Sequence, residues 1–503
     1  MTQDASASDP PNSDLRTNAM GVGGAVSIDQ LLARLGAPAV SALGLRVVGD
    51  VGAVVTDITH DSRSVAAGTL FCCIRGEQHD GHDFAVQAVA GGAAALLVDH
   101  EIAGLTAPQL VATDTREAMG HLASAFFDQP SRALTVVGVT GTNGKTTTAH
   151  MLGSIFEQAG RRTKVLGTLT GARTTPEAPE LQRTLAHERK SGTQAVVMEV
   201  SSHALALKRV AGVHFAAAVF TNLGHDHLDF HRTQEAYFAA KKSLFSTAFT
   251  NRGIVNRDDE YGRKICDGSD ITITAYGHSD AAGVHVDSSS STFEWRGARV
   301  RCAVGGEFNV TNAIAAATAA AELGISKEHI VAGLANLPRI PGRFENVNPN
   351  GTFAVLVDYA HTPEALRNVI AAARQIAGSA HSGGGQVIVV FGCGGDRDPS
   401  KRPDMGAAAC DADRIFVTSD NPRNEDPLVI IDAIVSGVPE RQHDKVVVEV
   451  DRRRAIHLGC AAANPGDVVV IAGRGHEAMQ SIAGREIPFS DAQVARELLE
   501  VAR

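Results

Sequence analysis

The stretch VGVTGTNGKTTT, residues 137–148, decides how the rest of this chain is read. A phosphate cradle needs a strand, a glycine turn whose backbone N–H groups converge, and a helix whose N-terminus faces the anion. The run TVVGV supplies the strand, Gly141 and Gly144 free the backbone, and TTAHMLGSIFEQAG continues as the helix. In that frame Lys145 can bridge phosphates and Thr146 can reach Mg²⁺. The spacing slips by one residue: five positions before the Gly144-Lys145 pair stands Val139, with Gly138 one further back. An ordinary glycine turn ahead of a helix is the bland alternative, and Gly-Lys-Thr directly after a β-rich run favours a nucleotide.

Outward from the loop, the chain reads as α/β with three segments. From Leu134 to about Pro338, the strands LTVVGVT, AVVMEV and AAAVFTNL alternate with helical stretches, as in parallel βαβ architecture. Upstream, LRVVGDVGAVV, GTLFCCI and GGAAALLVDH read as strands and DFAVQAVAGG as a helix, a small α/β unit. Downstream, FAVLVDYA, QVIVVFG, RIFVTSD and DVVVIAG alternate with helices such as PEALRNVIAAARQIAG, which suits a Rossmann-like doubly wound sheet. The proline-bearing DQPSRA and LPRIPGR divide the chain into 27–130, 131–340 and 341–503, after a tail over 1–26 expected to be disordered. SAHSGGGQ at 379–386 is expected to be a surface loop.

The bulk numbers exclude several classes. The 503 residues are 44% hydrophobic and carry a net charge of −10, which argues against a nucleic-acid backbone as partner. No apolar run reaches 18 residues, so no membrane span is expected, and the N-terminus lacks the basic and apolar regions of a secretory signal. The seven cysteines form no C-x-x-C pair, and buried thiols in a reducing cytoplasm are expected.

Two strand ends carry a second constellation. Glu199 stands near the end of AVVMEV with Ser201, Ser202 and His203 just after it, while His225, Asp226, His227 and Asp229 follow AAAVFTNL. Ligand sites in open α/β sheets collect at such ends, and hard oxygens with imidazole suit Mg²⁺ shared with phosphates. Next, TQEAYFAAKKSLFSTAFT placed on a helix puts Tyr237, Phe238, Leu244, Phe245, Ala248 and Phe249 on one apolar stripe with Lys241 near its centre. A bare ammonium there is costly, which leaves a snorkelling stem or chemical conversion.

The form TGTNGKTT resembles the Mur ligase family of ATP-dependent amide-forming enzymes, in which the spacing counts from Gly141. Folylpolyglutamate synthetases share the loop, so it identifies the superfamily alone. The resemblance runs from about residue 28 to 500, and what it implies can be stated residue by residue. ATP would be held by Gly141, Thr142, Asn143, Gly144, Lys145, Thr146 and Thr147, with Asn312 of EFNVTNA, Arg343 of PGRFE and Asp358 of VDYAHTPEAL, where His361 also matches. Lys241, in AKKSLF, would be carbamylated by CO₂; of two Mg²⁺ ions, one would be held by Thr146 and Glu199 and the other by His227 and carbamylated Lys241, and Lys145, Glu199, His227 and Lys241 form the catalytic set. The first segment, with HDSRSVAAGTLFCCIRGEQHDGHDF, resembles a UDP-sugar-binding domain with Ser62 at the nucleotide. Thr174, Thr175, Ser201 and Arg209 match positions that hold a UDP-muramoyl peptide, and Leu207 stands where some members have glutamine.

Arg397 of FGCGGDRDPSKRP, Asp420, Asn421, Pro422 and Arg423 of TSDNPRNEDP, and Gly473 and Glu477 of AGRGHE match the amino-acid site. Asp-Asn-Pro-Arg resembles the signature of members that add meso-diaminopimelate, whereas lysine-adding relatives lack the arginine. A planar guanidinium can pair bidentately with the far carboxylate of diaminopimelate, which lysine does not have. Arg474 stands where lysine is common. The resemblance therefore implies a monomeric cytoplasmic ligase that joins meso-diaminopimelate to UDP-MurNAc-L-Ala-D-Glu through an acyl phosphate. The first segment counts against a folylpolyglutamate synthetase, and Glu199, His227 and Lys241 count against a non-catalytic nucleotide-binding protein.

Overall fold

The computed structural model describes residues 24–76, 78–380 and 384–501. Most of the expected tail, and three residues of the 379–386 loop, lie outside that range. The chain forms two compact units: one takes the chain up to Thr135 with Pro176–Thr193 and Leu207–His214, the other takes the remainder.

The first unit holds a five-stranded sheet in the order Arg46–Val48, Gln109–Val111, Ala95–Val98, Thr69–Cys72, Asp57–Thr59, with only the first pair antiparallel. Its central strands are buried along their whole length, as both faces are covered. Helix Thr115–Phe126 covers one face; Asp114 caps it by accepting from Arg116 N and Glu117 N.

The second unit contains two larger sheets. One has six strands in the order Thr272–Tyr276, Arg252–Asn256, Ala217–Phe220, Thr135–Thr140, Ala195–Glu199, Thr163–Leu166. Alternate residues Val137, Val139, Val197 and Val219 face a core shared with helices Lys145–Gln158 and Glu307–Glu322. The other sheet runs Glu345–Asn346, Ala354–Asp358, Val468–Ala472, Val387–Phe391, Arg414–Val417, Val446–Val448, and only the first pair is antiparallel. Its period-2 alternation feeds two cores: Leu356, Val389 and Val470 face one, and Val357, Val390 and Ile471 the other. Helices therefore flank both faces, the doubly wound arrangement expected from the sequence. The four expected strands all form, and the loops after their C-terminal ends meet on one edge, at 359–362, 392–400, 418–426 and 473–478.

Two features differ from the sequence reading. A three-stranded antiparallel sheet, Ala281–Val286, Ser291–Trp295 and Ala298–Cys302, was not anticipated, because its short strands mix small and polar residues with few large apolar ones. The stretch expected to be one helix through Phe249 is helical only over Gln234–Lys242. Ser243 Oγ donates to Ala240 O, the local side-chain bond that competes with helix propagation. Tyr237 and Lys241 are buried on this helix, Leu244 and Phe245 reach the core beyond its end, and Ala248 is exposed. All seven cysteines are free. Among the described residues no helix is long and apolar enough to cross a membrane.

Candidate functional site

The glycine loop joins strand Thr135–Thr140 to helix Lys145–Gln158. Gly144 adopts φ 84°, and a Cβ there would collide with the Asn312 amide. The turn is tied to the adjacent strand end: Asn143 N donates to Asn222 Oδ1 (2.9 Å), and Asn143 O accepts from Thr221 Oγ1 (2.6 Å). Thr142 Oγ1 accepts from Gly224 N (3.0 Å) and lies 2.9 Å from Tyr237 Oη. Thr147 is buried in the first helical turn, and Asn312 Oδ1 accepts from Thr148 Oγ1 at 3.4 Å.

Two lysines converge on one carbonyl. Lys145 Nζ donates to Gly141 O (2.8 Å) and Thr142 O (2.7 Å), and Lys241 Nζ donates to the same Gly141 O (2.8 Å). Lys241 is 1% exposed. Burial, then the neighbouring Lys145 charge, holds its amine well below the usual lysine range. Burial also lowers Lys145, against the pull of Glu199 and Asp226. Two amines sharing a buried carbonyl suit either an anion beside them or conversion of one of them to an anion.

Glu199 sits at the end of its strand, as the sequence placed it. Its Oε2 accepts from Thr146 Oγ1 (3.0 Å), and its Oε1 accepts from Thr168 N (2.8 Å). Thr168 was missed by sequence reasoning; its signal is a polar residue just past the end of Thr163–Leu166, the strand paired with that of Glu199. Across the same group, Arg343 Nη2 donates to Thr146 Oγ1 (3.1 Å), its guanidinium 4.4 Å from the Tyr359 ring centroid. Asp358 accepts from Phe344 N (2.7 Å) and Ala360 N (2.8 Å), so its carboxylate braces the turn that carries Arg343. Burial raises Asp358, with the Arg343 charge opposing.

His227 lies in the left-handed region at φ 56°, within a cluster of rings that includes His203, Phe230, His231 and Tyr237. Burial pushes it to about 4, helped by the His203, Lys145 and Lys241 charges and opposed by Asp226. Asp226 Oδ2 is 3.4 Å from His227 Nε2 and 3.8 Å from His361 Nε2. Burial would raise this carboxyl, but the neighbouring His361 imidazole and the charges of His227 and Lys401 hold it well below the usual range.

Burial likewise pushes His231 and His476 to about 4. A free histidine titrates near 6.5, so the unfolded chain takes up protons that the folded chain refuses between about pH 6.5 and pH 4. Stability is therefore expected to fall as the pH drops through that window. Thermal unfolding followed across it should show a shallower slope in His231→Gln; an unchanged slope would remove His231 from this account.

The loops after the second sheet's strands bring the remaining set together. Asn421 Nδ2 donates to Glu477 Oε2 (2.7 Å), and Gly473, at φ 110°, would place a Cβ 2.6 Å from Asp420 Oδ2. Pro422 is buried, and Arg423, at φ 52°, donates from Nη1 to Gly395 O (2.6 Å). Burial and Asp420 raise the Glu477 carboxyl. Arg397 is exposed and lines a cleft of about 510 Å³ with Leu228, Asp229, Asp398 and Ser400. Sequence reasoning missed the buried pair Arg452–Asp491, joined at 2.7 and 2.8 Å. Arg452 also donates to Ser419 O (3.4 Å) and Ala472 O (3.0 Å), directly ahead of Asp420 and Gly473. No motif signals it, because the partners are 39 residues apart.

The residues matched to a UDP-muramoyl peptide are distributed over both units. Thr174 Oγ1 is 3.1 Å from Thr168 Oγ1; Thr175 Oγ1 donates to Glu199 O (2.9 Å) and accepts from Ser201 N (3.2 Å); Ser201 Oγ accepts from Ala204 N (3.1 Å). In the other unit Ser62 opens a 3₁₀ turn capped by Asp61, and Arg209 pairs with Glu177 at 2.8 Å.

Comparison with known proteins finds three family profiles in chain order: Mur ligase family, catalytic domain, over 54–127; Mur ligase middle domain over 139–320; and Mur ligase, glutamate ligase domain over 342–475. A UDP-N-acetylmuramoyl-L-alanyl-D-glutamate–2,6-diaminopimelate ligase of Streptomyces coelicolor is 42% identical over 480 residues, covering 90% of this chain and 94% of its own. One of the same name from Gloeobacter violaceus is 42% identical over 502 residues, covering 95% and 99%. A solved structure of that name superposes with a TM-score of 0.67 at 31% identity, covering 95% of this chain and 99% of its own. The MurF ligase of Thermotoga maritima in complex with ADP shares the fold, with a TM-score of 0.60 at 20% identity, covering 88% and 97%.

Proposed function

This chain belongs to the Mur ligase family, and from that premise we propose that it joins 2,6-diaminopimelate to the D-glutamate of UDP-MurNAc-L-Ala-D-Glu at the expense of ATP, in cytoplasmic assembly of peptidoglycan precursors. The observation that carries the reading is full-length similarity to ligases of that name, on a chain whose phosphate loop, two converging lysines and strand-end carboxylate lie together.

Carboxylates are poor acylating agents, so the D-glutamate side-chain carboxylate first takes the γ-phosphoryl group of ATP, which leaves as ADP, and becomes an acyl phosphate. The diaminopimelate amine attacks the acyl carbon, phosphate leaves, and an amide remains. The loop amides of 141–147 and Lys145 hold the phosphates, and Arg343, already turned toward Thr146, adds a second cation there. The hard oxygens of Thr146 and Glu199, 3.0 Å apart, would hold one Mg²⁺, and His227 with carbamylated Lys241 a second; when bound, these ions would neutralise charge on the transferring phosphoryl group. Lys241 is the site of carbamylation: its lowered basicity raises the share of uncharged amine, whose lone pair adds to CO₂ with loss of one proton, giving an anion beside Lys145. Asp420, Asn421, Arg423, Gly473, Glu477 and Arg397 receive the amino acid, Ser62, Thr174, Thr175, Ser201 and Arg209 the nucleotide-linked peptide. Arg423, absent from lysine-adding relatives, favours meso-diaminopimelate over L-lysine.

Phosphate release by the purified chain, with ATP, Mg²⁺ and UDP-MurNAc-L-Ala-D-Glu, is expected with meso-diaminopimelate and not with L-lysine. Equal rates would overturn the amino-acid assignment, and no release with either amine would overturn the reaction.

A further inference from the structure

The amide of Asn421 is held in one of its two orientations, and the side chain that holds it lies outside the set matched to the amino acid. Asn421 Oδ1 receives two donors, Arg474 Nη1 at 2.7 Å and Ser481 N at 2.9 Å. A guanidinium and a backbone N–H can only donate, so the atom facing both must be the oxygen, and the NH₂ is turned toward Glu477, to which it donates at 2.7 Å. Arg474 is 0% exposed and is itself fixed, since Nη2 donates to Met479 O (2.7 Å) and Phe489 O (3.1 Å).

We propose that Arg474 is a positioning residue for the amino-acid substrate, which sets the polarity of the Asn421 amide so that the site offers an N–H donor beside the Glu477 carboxylate. The proposal rests on the functional reading above for the identity of that substrate. A zwitterionic amino-acid centre presents a carboxylate and an ammonium side by side. Asn421 Nδ2 with a hydrogen to spare suits the first, and Glu477 suits the second. With the amide reversed, Oδ1 would face the Glu477 oxygens, and two acceptors would meet the incoming carboxylate. Lysine at 474 keeps the charge but carries its donors on one nitrogen, without the planar fork that spans Asn421 Oδ1 and two separate carbonyls.

The test compares full-length wild type with Arg474→Met, Arg474→Lys and Asn421→Asp. In Arg474→Met, KM for meso-diaminopimelate is expected to rise at least about tenfold while KM for ATP and for UDP-MurNAc-L-Ala-D-Glu stays within about twofold, with Arg474→Lys intermediate. An unchanged KM for diaminopimelate, or three constants rising together as the melting temperature falls, would overturn the proposal. A second readout needs no turnover. In ¹⁵N-asparagine-labelled protein without substrates, the side-chain pair of resonances lost in Asn421→Asp identifies Asn421; it is expected to shift in Arg474→Met and to move back toward its wild-type position in Arg474→Lys. Resonances unmoved by Arg474→Met would sink the proposal whatever the kinetics. Wild type that turns over with no amine would instead count against the functional reading, while the resonance test of Asn421 would stand.

Discussion

Lys241→Met is expected to lower the rate of amide formation by about 10³-fold and, in the same protein, to raise the midpoint of thermal unfolding. The two effects have one cause. Lys241 is held inside the second unit with its amine on Gly141 O and a tyrosine ring 4.7 Å away, close to a second lysine and with no ion-pair partner recorded among the described residues. An unfolded lysine keeps its proton up to about pH 10.4, whereas burial makes the folded chain release it at lower pH. Between those two values the unfolded state binds more protons, so at neutral pH this residue destabilises the fold. Methionine fills similar volume and has no amine to desolvate, so the substitution removes that cost. Gly141 O keeps a donor in Lys145.

The activity loss follows if the amine serves catalysis as a carbamate. Lys241→Ala then provides a sharper test, because it leaves a space that a short carboxylate can enter. Acetate or formate should restore part of its activity, and neutral acetamide should not. If both restore it equally, the anion is not what the site requires. If Lys241→Met melts below wild type, burial of the amine does not destabilise the fold as argued.

Arg423→Ala is expected to raise KM for meso-diaminopimelate by about 10²-fold or more, with KM for ATP nearly unchanged, and to reduce discrimination against L-lysine by a similar factor. Truncating one partner of a desolvated, hydrogen-bonded charge pair typically costs about 2–5 kcal/mol. Arg423 is half-buried, and its guanidinium donates to Gly395 O, while its backbone N donates to Ser481 O. The residue sits at φ 52°, and alanine bears the same backbone strain as arginine there, so the substitution removes the fork without relaxing the turn. Arg423→Lys separates charge from shape: a point charge should recover part of the affinity and less of the selectivity. Selectivity unchanged in Arg423→Ala would mean that another group reads the far carboxylate, and exposed Arg397 would be examined next.

The sequence by itself determined the α/β class, the strands that carry the site, and the candidates at their ends. The reason is local: apolar runs bounded by glycine and polar residues fix strands, and a strand's C-terminal neighbour is known once the strand is. Glu199, His227, Asp420 and Gly473 were legible in this way. The buried lysine was legible too, although the helix expected around it was too long, because Leu244 and Phe245 reach the core from a turn and imitate helical periodicity. Tertiary structure alone decided which distant groups meet. Thr146 lies between Glu199 and Arg343; Thr142 is held by Tyr237, 95 residues away; Arg452 and Asp491 brace two loops from below; and Arg474 turns the Asn421 amide. These contacts depend on strand order, in which Thr135–Thr140 lies between Ala217–Phe220 and Ala195–Glu199, and Val468–Ala472 between Ala354–Asp358 and Val387–Phe391. Strand order is set by the joint packing of both faces of the sheet, and that information is spread over the whole chain rather than written in any one motif.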